Sequence, residues 1–382
     1  MSKNRILITG GAGFIGSKLA SALISLGVEV TILDNFSSQV HSSDRLPEFL
    51  SKHVKLIRGD VRNRNDLIAA LVGVDTVVHL AAETGTGQSM YEIGHYFDVN
   101  VGGTATLLDL LQNEGARFRV QSIVVASSRA VYGEGAYLCQ SDGIVYPTER
   151  TRSMMSIGLF EPVCPKCGSQ LFAKATSENA PFLPMSFYGL TKQIQEQAVL
   201  MYAKTNGINA FALRYQNVYG PGQSLKNPYT GILAVFSNLA RQDAEINIYE
   251  DGLESRDFVY IDDVVEATVR SIFFEGNFVG AINVGSGIAT KVLDVAKKVK
   301  DYFDSESDIT ISGAFRIGDI RHNFADVDRM KKILNFTPLV AFDQGIRNFL
   351  EWARSQPIEN NELFIKSTDE LRARGLLGEI DS

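Results

Sequence analysis

Residues 5–16 read Arg5-Ile6-Leu7-Ile8-Thr9-Gly10-Gly11-Ala12-Gly13-Phe14-Ile15-Gly16. An apolar run of strand length ends at Thr9, glycines follow at 10, 13 and 16, and a helix-like stretch continues toward Leu26. Gly10, Gly13 and Gly16 would let the chain turn tightly and let a pyrophosphate approach the backbone at a helix N-terminus, where unpaired N–H groups and the dipole favour anions. A glycine triplet alone also fits an ordinary strand-to-helix turn. The strand before it, the helix after it and Asp34 closing the second apolar run favour a bound dinucleotide. Asp34 is placed to accept from an adenosine ribose 2′-hydroxyl and would repel a 2′-phosphate, which favours NAD over NADP. Phe14, Ile15 and Asn35 belong to the same expected contact set.

Outward from this motif, apolar runs at 5–9, 28–33, 54–57, 76–80 and 122–127 alternate with helix-length stretches. That alternation predicts an α/β fold with a parallel sheet wound on both sides by helices, a Rossmann-type arrangement. After Gly207 the pattern is irregular, with 210–215 and 280–284 reading as strands that return to the sheet. The expected division is a dinucleotide-binding domain over 1–215, a smaller substrate-binding lobe mainly over 216–357, and a tail over 358–382 whose helix would dock on the surface. The chain has 382 residues, 45% of them hydrophobic, enough for a sizeable core and against disorder. With 37 basic and 44 acidic side chains the formal charge is −7, which gives no footprint for nucleic acid. No apolar run approaches the ~20 residues of a membrane span. The buried strand starting at Arg5 leaves no room for a removable signal, so the expected location is the cytoplasm.

Several residues near the predicted strand ends are candidates for contact with the dinucleotide. Asp60 and Val61 follow the third run and would meet the adenine edge, although Asp60 also suits an N-cap for the segment 63–71. His79 reads as a packed structural histidine, and the small Ala81 and Ala82 after Leu80 suit close approach of a cofactor. Glu83 and Thr84 open the loop 83–88 at the C-terminal end of the fourth run, where they would read a substrate or simply form a turn.

A second constellation combines Ser127-Ser128 at the end of the fifth run with Tyr188 and Lys192, spaced YxxxK at a helix start. Four positions along a helix put phenol and ammonium on one face, so the lysine charge would lower the tyrosine pKa and make it a usable base, with Ser128 completing the proton path.

Taken with GGAGFIG at 10–16, HLAA at 79–82, SSRAVYG at 127–133, YGLTK at 188–192, RYQNVYGP at 214–221 and SRDFVYIDDV at 255–264, the chain resembles an extended short-chain dehydrogenase/reductase. The resemblance runs from Arg5 to about Trp352 and points to the NAD-dependent nucleotide-sugar epimerases and dehydratases, with dTDP-L-rhamnose 4-epimerase-like and UDP-glucose 4-epimerase-like members nearest. It implies catalytic roles for Ser128, Tyr188 and Lys192, with Tyr215 near the nicotinamide. It implies substrate roles for Asn217 at the diphosphate, Tyr249 at the base, Arg256 and Arg316 at the phosphates and Asp319 at the nucleotide ribose. Guanidinium groups suit phosphate oxygens on physical grounds alone, though single arginines are commonly surface ion pairs. Related enzymes pair as homodimers through two helices per subunit. Sugar 4,6-dehydratases place Asp-Glu directly after the catalytic hydroxyl residue, because eliminating water needs a further acid and base. Arg129 and Ala130 stand there, so the expected reaction is C4 epimerisation of a dTDP- or UDP-hexose through a transient 4-keto sugar. A dehydratase, reductase or decarboxylase of the same family is the alternative, and an NAD-binding regulatory protein the non-enzyme one.

Between Tyr132 and Tyr188 lies an excursion, 134–183, that contains all three cysteines. Cys164-Pro165-Lys166-Cys167-Gly168 has the CxxCG form of half a zinc site, Cys139 offers a third ligand and Asp142 a fourth. A dTDP-L-rhamnose 4-epimerase-like subgroup has a histidine at the place of Asp142, and its SLKNPYTGI segment resembles residues 224–232. The alternative is three free thiols in a metal-free loop. A zinc closed by four protein ligands would be structural, not catalytic.

Overall fold

The computed structural model describes residues 5–41, 43–227, 231–359 and 362–381. Seven parallel strands form the central sheet: β1 (Arg5–Thr9), β2 (Glu29–Asp34), β3 (Val54–Arg58), β4 (Thr76–His79), β5 (Ser122–Ser128), β6 (Asn209–Tyr215) and β7 (Val279–Val284), in the order β7-β6-β5-β4-β1-β2-β3. The expected α/β class, the five early strands and both returning strands are all present, with ends displaced by about one residue.

The strands are apolar on both faces because both are covered. Ile6 and Ile8 of β1, Val124 and Ala126 of β5, and Phe211 and Leu213 of β6 enter one core. Leu7, Ile123, Val125, Ala210 and Ala212 enter the other. Such period-two sorting into two cores is what a parallel sheet between helix layers requires. The strand order reverses between β1 and β4, which leaves a crevice at their C-terminal ends.

Helix Phe187–Asn206 begins at Ser186, whose hydroxyl accepts from Gly189 N, and stops at Gly207 with φ +64°. Glu196 on this helix accepts from Ser127 Oγ (2.5 Å) and pairs with Arg214 of β6 (2.6 Å), while Arg214 also donates to the Tyr132 hydroxyl (2.8 Å). Gln195 donates to Thr104 Oγ1 (2.8 Å). The helix is thus pinned to β5, β6 and helix Gly103–Asn113 through buried polar bonds.

Outside the sheet, Ser255–Tyr260 pairs in parallel with Asn217–Tyr219 and His322–Asn323 and antiparallel with Ala289–Lys291. The excursion holds a three-stranded antiparallel sheet of Tyr137–Cys139, Gly143–Val145 and Phe172–Ala173. The tail does more than dock a helix. Helix Glu362–Ala373 buries Leu371 against Ala314 and Leu377, and Leu377–Gly378 pairs antiparallel with Phe315–Arg316. Within 224–232, residues 228–230 lie outside the described residues. No described helix is long and apolar enough to cross a membrane.

Candidate functional site

A cavity of about 430 Å³ opens at the crevice. It is lined by Gly10, Gly13, Phe14, Ile15 and Gly16 of the first turn, by Asp34 and Asn35, by Asp60 and Val61, and by Leu80, Ala81, Ala82, Glu83 and Thr84. Ser128, Tyr188, Lys192, Tyr215 and Asn217 also line it, so the expected cofactor residues and the expected catalytic trio share one cavity. Gly10 has φ +69°, and a Cβ there would lie 2.8 Å from Ala81 N; a Cβ on Gly16 would lie 2.5 Å from the Gly10 carbonyl. Helix Phe14–Ser25 starts at Gly13 with no side-chain cap and no acidic residue in its first turn. Its first N–H groups are therefore available to an anion.

Asp34 is 6% exposed and already ordered, accepting from Ala12 N (2.9 Å) and Phe36 N (2.8 Å) with His41 Nε2 at 3.3 Å. Asp60 forms a fork with Arg62 (2.7 Å) and accepts from Asn35 (3.1 Å); Arg62 holds its carboxyl down at about 2. The N-cap of helix Arg64–Leu71 is Asn63, so Asp60 stays free of that duty. Glu83 has His95 Nε2 at 3.3 Å and is tied to Asn100 through two bonds, Glu83 N to Oδ1 (2.7 Å) and Nδ2 to Glu83 O (3.1 Å). Asn100, which also donates to Thr191 (3.0 Å), is a positioning residue that sequence reading missed.

His79 is structural. Thr104 Oγ1 gives its proton to Asn100 O (2.6 Å) and so accepts from His79 Nε2–H (2.9 Å), which leaves Nδ1 to accept from Thr9 Oγ1 (2.8 Å). Burial, with the Lys192 charge nearby, pushes its pKa down to about 3, so the ring is neutral.

Tyr188 and Lys192 share the inner face of helix Phe187–Asn206, as the YxxxK spacing requires, but the electrostatics differ from the expected coupling. Burial pushes the Tyr188 phenol up, and the groups that pull it back are the Ser128 hydroxyl and Arg129. Lys192 donates to the Ala126 carbonyl (3.0 Å), and burial pushes it down to about 7. Desolvation weakens the ammonium that was expected to act on the phenol. Arg129 lines the cavity with Nη1 buried and without a hydrogen-bond partner, and burial with the Arg256 charge pushes it down to about 10. The sequence singled it out only as the residue that cannot be the dehydratase acid.

Tyr215 is a neighbour of the same cavity. Its ring edges the cavity, but its hydroxyl shares a 2.8 Å bond with Thr268 Oγ1, so it can meet a cofactor only by packing. Asn217 leaves Oδ1 buried without a partner, as a ligand-facing amide would. Tyr249, Arg256, Arg316 and Asp319 form a neighbouring cluster that is not part of the cavity wall. Arg256 donates to Asp319 (3.3 Å) and to the carbonyls of Ser255 (2.9 Å) and Arg321 (3.0 Å). The Arg316 guanidinium stacks 4.6 Å over the Tyr249 ring, with Nε buried and unpaired. The charges of Arg256 and Asp319 and the Tyr188 phenol all act on Arg129, so it feels both groups.

The motifs now have their geometry, and comparison with known proteins agrees with it. The model of the NAD dependent epimerase/dehydratase family matches residues 6–154 and 162–285. The chain belongs to the NAD-dependent epimerase/dehydratase family. This epimerase/dehydratase is 37% identical over 350 residues to a dTDP-L-rhamnose 4-epimerase of Burkholderia thailandensis, covering 91% of this chain and 94% of that protein. Among solved structures it is similar to the UDP-N-acetylglucosamine 4-epimerase of Methanobrevibacter ruminantium in complex with UDP-N-acetylmuramic acid, with TM-score 0.75, 28% identity and coverage of 94% and 100% of the two chains. It is also similar to the UDP-glucose 4-epimerase of Thermus thermophilus in complex with NAD, with TM-score 0.72, 26% identity and coverage of 92% and 100%.

The break in the family match, between 154 and 162, falls in this epimerase/dehydratase's excursion. There the ligand atoms of Cys139, Asp142, Cys164 and Cys167 all lie within 4.8 Å of one another. Cys139 Sγ is 3.6 Å from Cys167 Sγ and 3.5 Å from Asp142 Oδ2, and Cys164 Sγ is 3.3 Å from that same oxygen. A tetrahedral zinc, with bonds of ~2.3 Å to sulfur and ~2.0 Å to oxygen, sets its ligands ~3.5–3.8 Å apart, so these side chains fit the ion. Ser169 Oγ lies 3.3 Å from Cys139 Sγ and 3.1 Å from Cys167 Sγ, where its one proton can serve either thiolate.

Proposed function

We propose that this chain is an NAD-dependent nucleotide-sugar 4-epimerase, acting on a dTDP- or UDP-hexose through a 4-keto sugar. The observation that carries the reading is the convergence of Ser128, Tyr188 and Lys192 on the cavity that also holds the glycine turn and Asp34, with Arg129 where a dehydratase would need a carboxylic acid. The similarity to proteins named as 4-epimerases supports it.

Residues 1–215 would hold the cofactor, with Asp34 on the adenosine ribose, Asp60 and Val61 beside the adenine and the Gly13 helix start on the pyrophosphate. Bound NAD would supply a reversible hydride acceptor. Tyr188 would take the proton of the sugar 4-hydroxyl and give it back, with Ser128 as the near end of the proton path. Arg129 would hold the phenol's proton affinity down as the 4-oxygen gains charge. Lys192, bonded to Ala126, would orient the nicotinamide ribose. Residues 216–357 would supply the substrate lobe: Asn217, Arg256 and Arg316 for the diphosphate, Tyr249 for the base, Asp319 for the ribose, and Glu83 and Thr84 for the sugar. The proposed Cys139, Asp142, Cys164 and Cys167 zinc is structural, since a closed four-ligand site has no position for substrate. A cytoplasmic homodimer completes the reading, with the cytoplasm supported by the three thiols that form no disulfide.

The test is a panel of dTDP- and UDP-sugars given to the purified protein without added cofactor. An epimerase yields an isomer of unchanged mass, and deuterium placed at C4 stays in the sugar. A product lighter by water or by carbon dioxide would replace this reading with a dehydratase or a decarboxylase. Tyr188→Phe is expected to lose turnover by about 10²-fold or more while retaining NAD; a variant with unchanged turnover would remove Tyr188 from the chemistry.

A further inference from the structure

We infer that the metal cluster of the excursion is a lock that holds the nucleotide-binding wall of the substrate lobe in place, so that metal loading sets nucleotide affinity. The inference rests on the zinc reading above and adds to it what the metal would control.

The cysteine end of the excursion has a small core of its own, apart from Met155 and Phe160, which pack on Phe315, and Ala180, which packs on Val131 and Tyr132. Its buried apolar cluster is Tyr137, Cys139, Val145, Cys164 and Leu171, so two of its five members are ligand cysteines. A metal would add a staple to a core of that size. The cluster also joins distant positions: Asp142 lies on the turn of the hairpin and Cys164 22 positions further on. A metal bound to both closes the intervening loop, residues 146–163.

That loop carries the side chains that reach the substrate lobe. Arg150 is 4% exposed; it donates to Glu134 Oε1 (2.9 Å), to Glu250 Oε1 (2.8 Å) and to the carbonyls of Phe160 (3.0 Å) and Asp319 (3.0 Å). Glu161 accepts from Arg321 Nε (2.8 Å) and Nη2 (2.7 Å), and Arg321 in turn bonds Glu250 (2.9 Å) and Asp251 (2.7 Å). Tyr249 precedes Glu250 in the chain, and Asp319 pairs with Arg256. One loop thus fixes both segments, 249–251 and 319–321, that present the base and phosphate candidates. Loosening the loop would take Glu161 from Arg321 and draw Arg150 away from Glu250 and Asp319, which weakens a buried charge network shared by both segments. The cofactor half of the cavity rests on β1, β2 and β4 and shares none of these bonds.

The test uses the full chain as purified. Zinc is measured per chain by elemental analysis, removed with a chelator and restored with Zn²⁺, and each state is followed by hydrogen–deuterium exchange and by titration with UDP and dTDP. One zinc per chain is expected. Its removal should raise exchange in 146–163, 248–256 and 315–323, weaken nucleoside diphosphate binding by about tenfold, and leave β1–β4 and retained NAD unchanged. Zn²⁺ should reverse all of it. Asp142→Ala should reproduce the metal-free state, whereas Asp142→His should keep zinc and affinity, since imidazole is an equally good ligand. A protein that neither contains nor takes up zinc overturns the inference. So does a chelated protein whose 248–256 and 315–323 exchange is unchanged, or one whose exchange rises throughout the sheet. If the zinc-loaded protein binds neither UDP nor dTDP, the nucleotide-sugar reading falls while the exchange result still decides the lock.

Discussion

At the scale of single residues, the catalytic corner depends on which cation faces the phenol. Burial pushes the Tyr188 phenol up while the Ser128 hydroxyl and Arg129 pull it back, and Lys192 gives one of its donors to the Ala126 carbonyl. Replacing Arg129 with Met should therefore raise the phenol pKa and move the acid limb of the kcat–pH profile to higher pH; a profile that keeps its limb would assign the arginine to binding alone. His79 gives a second prediction. Its pKa is about 3 in the fold and about 6.5 in the unfolded chain, so below pH 6.5 the unfolded state takes up a proton that the fold refuses. Stability is lost as pH falls through that window, by about 2 kcal/mol at pH 5 from this residue. His79→Gln should be less stable at pH 7 but show a flatter dependence between pH 7 and pH 5 in chemical denaturation. Both behaviours follow from desolvation, which residue spacing does not reveal.

At the scale of elements, helix Phe187–Asn206 carries Tyr188 and Lys192 and is fixed by one buried ion pair, Glu196 with Arg214. Glu196→Gln or Arg214→Met leaves a desolvated charge without its partner, which costs about 3–5 kcal/mol. Thermal and urea unfolding should show that loss, and turnover should fall because the phenol moves with its helix. A variant of full stability would mean that the pair is dispensable. The sheet and its helices were legible beforehand because the central strands are apolar on both faces and the first strand runs straight into the glycine turn. The short strands of the excursion and the substrate lobe were not legible. They run two to six residues, too short to show a local period, and most pair with partners far away in sequence.

At the scale of the whole molecule, the tail becomes part of the site's support. Leu377–Gly378 pairs with Phe315–Arg316, the Gly378 backbone packs on the Phe315 ring, and Tyr91 donates to Glu370 (2.7 Å). Ending the chain at residue 358 should weaken dTDP or UDP binding, by loosening Arg316, while leaving NAD bound; unchanged affinity in calorimetry would make the tail a passenger. What the sequence alone determined is the α/β class, the glycine turn, the residues of the proposed catalytic trio and the cysteine set. Those depend on residue type at short spacing, where strand, turn and helix impose their own periods. Only the tertiary structure decided that Arg129 stands against the phenol, that Tyr215 turns its hydroxyl to Thr268, that Asn63 and not Asp60 caps its helix, and that Arg150 joins the excursion to Asp319. Those facts depend on which buried polar group lies beside which, and closeness between residues up to 169 positions apart arises only when the sheet closes and excludes water.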